Sequence, residues 1–241
     1  MSDAGHERGL DRLAQRAIRP TGWLLAAAVP LWLWLAAAAP LDSVQGVVQK
    51  ILYVHVPCAF AAYLGFACTA VGGALYLWRR EEHWDRFAAS AAEVGVLFCA
   101  LVIATGPIWA RASWGRWWSW DLRLTLTLLL FLVYLSYLLL RSLTEGSERT
   151  ARFAAVYGIA GLAIVPLNYL AIDLAGGRSI HPENLQRGSL GAGMRAPFWF
   201  GVATALLAFA HLLARRVELA ALRDRAAARE AAGAGEAPWA T

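Results

Sequence analysis

The residues of this chain whose types and spacing could do chemistry are a cluster of tryptophans and two histidines. Trp114, Trp117, Trp118 and Trp120 fall within seven residues around Gly115, and Asp121 and Arg123 follow at once. Trp109 lies just before them. On a helix, Trp114, Trp117 and Trp118 would share one face, because their spacings are i+3 and i+4. Two readings of the cluster are open. Tryptophan is enriched at membrane–water interfaces, which accounts for one or two such residues. Four together also make an aromatic platform for a flat apolar ligand. Asp121 can cap a helix N-terminus or position a ligand. Arg111, Arg116 and Arg123 can hold ligand carboxylates by charge-assisted bonds, or each can anchor a lipid headgroup.

Of the five histidines, His6, His83 and His211 read as solvated or as helix residues with a local partner. His55 opens an apolar run in Tyr53-Val-His-Val-Pro57, and His181 sits in a glycine-rich stretch in Ser179-Ile-His-Pro182. A lone histidine at such a place is more often structural. Two on one side of a membrane, with an aromatic cluster between them in sequence, form a pattern that haem would use. Haem iron takes imidazole ligands, the macrocycle needs apolar contact, and the propionates need cations. The cysteines Cys58, Cys68 and Cys99 lie in apolar runs without a CxxC pair, so they point to neither zinc nor redox chemistry.

The elements that must position these residues are membrane helices. Of 241 residues, 59% are hydrophobic and 16% charged, against about 25% charged in soluble domains. A bilayer core of about 30 Å needs about 20 apolar residues in a helix, and its backbone must be satisfied internally. Six runs qualify: 22–39, 51–78, 88–110, 123–141, 153–172 and 197–214. Pro107 and Pro166 lie within spans and are candidate kinks. The fold class is therefore all-α integral membrane, a six-helix domain over 22–214 between an N-terminal tail, 1–21, and a C-terminal tail, 215–241. The C-terminal tail is expected to extend the last helix. The first apolar run is long enough to span, so it does not read as a cleavable signal peptide.

Charge gives the orientation. The two tails with the second and fourth loops carry 15 of the 22 basic residues, and the other loops carry seven: Lys50, Arg111, Arg116, Arg123, Arg178, Arg187 and Arg195. The positive-inside rule then makes both termini cytoplasmic. The loops near 40–54, 111–122 and 173–196 face outward, and with them the tryptophan cluster, His55 and His181. The net charge of +5 is accounted for by topology, not by nucleic acid.

Trp114-Gly-x-Trp-Trp-x-Trp-Asp121-x-Arg123-x-Thr125 resembles the WWD signature of a superfamily of haem-handling membrane proteins. The six-span length, His55-Val-Pro57 after the first outward loop and His181 in the third are similar to the CcmC family of cytochrome c maturation. The resemblance covers about 20 to 215. It implies that haem b is carried as a ligand on the outer side of the plasma (inner) membrane. His55 and His181 would be the axial iron ligands, and Trp114, Trp117, Trp118, Trp120, Asp121, Arg123 and Arg116 would line the site. It also implies delivery to the haem chaperone CcmE, with the ABC transporter CcmA and CcmB and the small protein CcmD as partners. Many relatives have tryptophan before the third-loop histidine and glutamine after it, whereas this chain has Gly176-Gly-Arg-Ser-Ile180 and Pro182.

No GxxxxGK[ST] sequence occurs, so this chain carries no phosphate-binding loop and energy would come from a partner. The expected role is a haem-handling assembly factor that promotes haem attachment to CcmE. Rival readings are a subunit that conducts haem across the bilayer, a scaffold for the transporter without haem, and an electron carrier. The last would need histidines paired deep within the spans.

Overall fold

The computed structural model describes residues 3–143, 147–184 and 190–235. Arg187, counted above among the outward basic residues, and the last six residues of the C-terminal tail lie outside them. The described residues form α1 (Asp3–Ala38), a short 3-10 turn (Val47–Ile51), α2 (Leu52–Arg79), α3 (Glu82–Trp114), α4 (Leu122–Leu143), α5 (Glu148–Leu162), α6 (Ile164–Leu174) and α7 (Arg195–Gly235). No strand occurs among the described residues, only an isolated bridge between Asp42 and Gly46. Six stretches are long and apolar enough to span a bilayer: Ile18–Ala38, Val47–Arg79, Glu82–Trp114, Leu122–Leu143, Glu148–Leu174 and Arg195–Ala231. They coincide with the six expected runs. As expected for the C-terminal tail, α7 runs on past its apolar part.

Prolines shape these helices through the donor they lack. The fifth span is two helices, α5 and α6, joined at Ala163. Pro166 has no N–H for the carbonyl of Leu162, which accounts for the break there. Pro107 lies inside α3, which continues through it. Pro57 likewise leaves the carbonyl of Tyr53 without its helical donor. The indole N–H of Trp32 on α1 supplies one at 3.0 Å, inside the protein. The proline that follows His55 thus creates the acceptor that docks α1 against α2.

The closest packing is between α2 and α3, which run antiparallel. A Cβ built on Gly65 would stand 2.6 Å from Cα of Gly95, so the two backbones touch where any larger residue would force them apart. His55 lies ten residues before Gly65, and Thr105 lies ten residues after Gly95, so this register brings them level. Phe66 stacks on Tyr134 of α4 with centroids 3.9 Å apart, adding the fourth helix to the core. At the opposite end of the bundle, Arg141 of α4 grips Asp85 of α3 with two bonds of 2.6 Å, and Arg86 meets Asp224 of α7 at 2.6 Å.

Candidate functional site

Helix α3 stops at Trp114 because Gly115 takes a left-handed conformation, φ +73°, with its N–H on the carbonyl of Arg111. Glycine adopts this without steric cost. The Arg111 side chain caps the same end by donating to the carbonyl of Gly115. Trp117, Trp118 and Trp120 therefore lie in non-helical chain before α4. The shared helical face expected of Trp114, Trp117 and Trp118 does not form, because the glycine at the centre of the cluster ends the helix.

The cluster divides into two pairs. Trp109 and Trp114, the first just beyond the expected set, meet edge to face at 4.8 Å between centroids. Trp118 and Trp120 do the same at 5.9 Å. Trp117 and Trp120 are 60% and 75% exposed, so most of their ring surface is open to lipid, ligand or partner. The indole N–H of Trp118 is buried and has no acceptor among the described residues. A donor in that state calls for an explanation, and an acceptor on a bound ligand would supply one. Arg116 is exposed on the same segment.

Asp121 both caps a helix and ties down the loop that carries His181. One carboxylate oxygen accepts the N–H of Arg123 at 2.9 Å, and its carbonyl accepts from Thr125, which starts α4. The other oxygen accepts the N–H of Ile180 at 3.0 Å. Ile180 directly precedes His181, so the last residue of the tryptophan segment holds the third loop in place. Arg123 adds a brace: Nη1 donates to Asn184 Oδ1 at 2.7 Å and to the carbonyl of Tyr169 at 3.3 Å. Nε and Nη2 carry further donors. Asn168, buried on α6, donates to the carbonyl of Arg123 and to Thr127, and accepts from the Tyr63 hydroxyl.

His55 and His181 come together across the face of α3. Nδ1 of His55 is 2.8 Å from Oγ1 of Thr105, whose hydroxyl also lies 2.7 Å from the carbonyl of Leu101. One turn further along α3, Trp109 packs beside His181, with centroids 6.4 Å apart. The two imidazoles lie within electrostatic reach of each other and of Arg123. Nδ1 of His181 is 2.8 Å from the carbonyl of Pro182. A carbonyl only accepts, so Nδ1 carries the proton and Nε2 keeps its lone pair. Burial and the Arg123 charge push the His181 pKa down to about 4, against smaller opposing effects of the Pro182 carbonyl and Asp121. The ring is thus neutral at pH 7.

His181 also borders an open cleft of about 650 Å³, walled by Tyr169, Ile172, Asp173, Ser179 and Asn184 among others. The volume is in the range of small-molecule sites. The tryptophans are not among its walls. The first outward loop joins the site through Gln45, whose amide oxygen accepts from the Trp109 indole at 3.1 Å. Gln45 is held in turn by Asp42, which accepts the backbone N–H groups of Val44 and Gln45 at 2.9 and 2.8 Å. Those bonds keep the Asp42 carboxyl below the usual range.

Thr105, Trp109, Gln45 and Asn184 were not among the sequence-predicted site residues. Thr105 and Trp109 are four apart and so share a helix face, a signal present in the sequence but shared with many pairs in an apolar run.

The heme exporter protein C family model matches residues 2–234. Among curated proteins, the chain is 33% identical to heme exporter protein C of Paracoccus denitrificans over 194 residues, 78% of this chain and 80% of the relative. It is 36% identical to heme exporter protein C of Bradyrhizobium diazoefficiens over 154 residues, 63% of this chain and 59% of that protein's length. It is 35% identical to a putative cytochrome c biosynthesis ccmC-like mitochondrial protein of Marchantia polymorpha over 162 residues. With the match running nearly end to end, and with the histidines, tryptophans and Asp121 drawn to one end of a six-span bundle, the chain belongs to the heme exporter protein C (CcmC) family.

Proposed function

We propose that this chain binds haem b between His55 and His181 at the outer face of the cytoplasmic membrane and passes it to the chaperone CcmE during c-type cytochrome maturation. The names of its relatives, with heme export and cytochrome c biosynthesis in them, support the general role. The observation that carries the site is the pair of imidazoles: each engages Nδ1 in a hydrogen bond, His55 with Thr105 and His181 with Pro182, and each can offer Nε2. Metal-bound histidines characteristically use one ring nitrogen for the metal and tie the other to a neighbour.

The chain's own residues divide the work. His55 stands on a membrane helix braced by Gly65 against α3, and so offers its nitrogen from a fixed place. His181 is held by the Asp121 carboxylate through Ile180 and by its own carbonyl contact. Its ring is neutral at pH 7, so no proton must leave before iron binds. The Trp118 N–H, without an acceptor among the described residues, and exposed Arg116 are suited to propionate oxygens, and the exposed faces of Trp117 and Trp120 to the apolar ring. Haem supplies two axial positions on iron, which match the two offered nitrogens. Handover and release call for CcmE and for an energy source, which we assign to CcmA and CcmB with CcmD at their side.

The test is the absorption spectrum of protein purified from cells with ample haem. The wild type should carry bis-histidine haem, and His55→Ala and His181→Ala should each lose or weaken it. A wild type without haem, together with variants that still load CcmE, would sink this assignment.

A further inference from the structure

The two candidate iron ligands are oriented by different kinds of partner. His181 leans on a backbone carbonyl, which no substitution removes. His55 leans on one side-chain hydroxyl, that of Thr105, ten residues past the Gly65–Gly95 contact on the facing helix. That hydroxyl has one proton and three neighbours: the Leu101 carbonyl at 2.7 Å, His55 Nδ1 at 2.8 Å and, further off, the Val102 carbonyl at 3.4 Å. The carbonyls cannot donate. If the hydroxyl proton goes to Leu101, the oxygen is an acceptor towards His55, and Nδ1 must carry the imidazole proton. If the hydroxyl turned towards His55 instead, the proton would sit on Nε2. The Leu101 contact is the i−4 bond that a threonine inside a helix makes to its own backbone, and at 2.7 Å it favours the first arrangement.

We propose that Thr105 is a positioning residue for His55: its hydroxyl relays the α3 backbone carbonyl of Leu101 to Nδ1 and holds the imidazole in the one tautomer whose Nε2 can bind iron. The role rests on the haem reading above, but the tautomer itself is a property of the protein without haem. A threonine at this place does what a carboxylate or carbonyl does for other metal-bound histidines, with the difference that a hydroxyl can turn. Its Leu101 contact is what sets the direction of the relay.

The experiment compares wild type, Thr105→Val and Thr105→Ser, with the His55 signals identified by their loss in His55→Ala. In haem-free protein with nitrogen-15 histidine, the wild-type His55 should show a protonated Nδ1 and a bare Nε2. Thr105→Val, which keeps the shape and loses the hydroxyl, should lose that preference, and Thr105→Ser should restore it. Titrated with haem, Thr105→Val should bind about 10- to 100-fold more weakly, the usual cost of removing such a partner, with Thr105→Ser near wild type. A wild-type His55 protonated on Nε2, or an unchanged tautomer and haem affinity in Thr105→Val, would overturn the proposal. If the wild type binds no haem, the functional reading fails, and the haem-free tautomer comparison still decides whether Thr105 orients His55.

Discussion

His181 and Asp121 illustrate how much one residue's meaning depends on what reaches it from elsewhere. By sequence, Asp121 had two readings, helix cap and ligand-positioning residue. In the structure one oxygen makes the cap and the other holds the loop before His181, because a carboxylate accepts on both oxygens and the two N–H groups come from different segments, Arg123 and Ile180. For His181 the consequence is measurable. Its folded pKa of about 4 lies below the ordinary value of 6.5. The docked loop thus binds fewer protons than the undocked one between those values. Loop docking is then at full strength above about pH 6.5, weakens as pH falls through the window, and levels off below about 4. A histidine titration by NMR should give His181 a midpoint near 4 in haem-free protein. A midpoint near 6.5 would mean that the ring is neither buried nor close to the Arg123 charge.

At the scale of elements, the decisive contact is a glycine pair. The α2–α3 crossing at Gly65 and Gly95 sets the register that puts His55 beside Thr105. Gly65→Ala would place a methyl group 2.6 Å from the Gly95 Cα, backbone against side chain, with nothing flexible to yield. Overpacking of this kind costs about 1–3 kcal/mol. The expected result is a lower melting temperature and a weaker His55 tautomer preference in the same variant, since both depend on one crossing. Wild-type values for both would show that the helices can part without disturbing the site. The other elements follow from local chemistry. Gly115 ends α3, Pro166 divides the fifth span, and Pro57 exposes the carbonyl that Trp32 takes up.

The whole molecule has two chemically different ends. One gathers the first, third and fifth connections around the histidines and tryptophans. The other carries the ion pairs Arg141–Asp85 and Arg86–Asp224 near the arginine-rich segments. From the positive-inside bias we propose that the arginine-rich end is cytoplasmic. Ser43 and Ser142 are exposed at opposite ends of the bundle, so they can report on this. In a background without Cys58, Cys68 and Cys99, Ser43→Cys should react with a membrane-impermeant maleimide in intact cells, and Ser142→Cys only after the membrane is opened. The reverse pattern would invert the proposed orientation and place the candidate site inside.

Span number and position were legible in the sequence, because a helix in lipid must be apolar along its length and no tertiary contact can change that requirement. The two histidines and Asp121 were legible as candidates through residue type and placement. The local form of the tryptophan segment was not. A spacing argument assumes a helix, and one left-handed glycine at position 115 ended it. The residues that contact the candidate ligands, Thr105 for His55 and Asp121 by way of Ile180 for His181, emerged only from the tertiary structure. They act across 50 and 59 positions of chain. Partners so distant are brought together by helix packing, which depends on three-dimensional register and leaves no local pattern in the sequence.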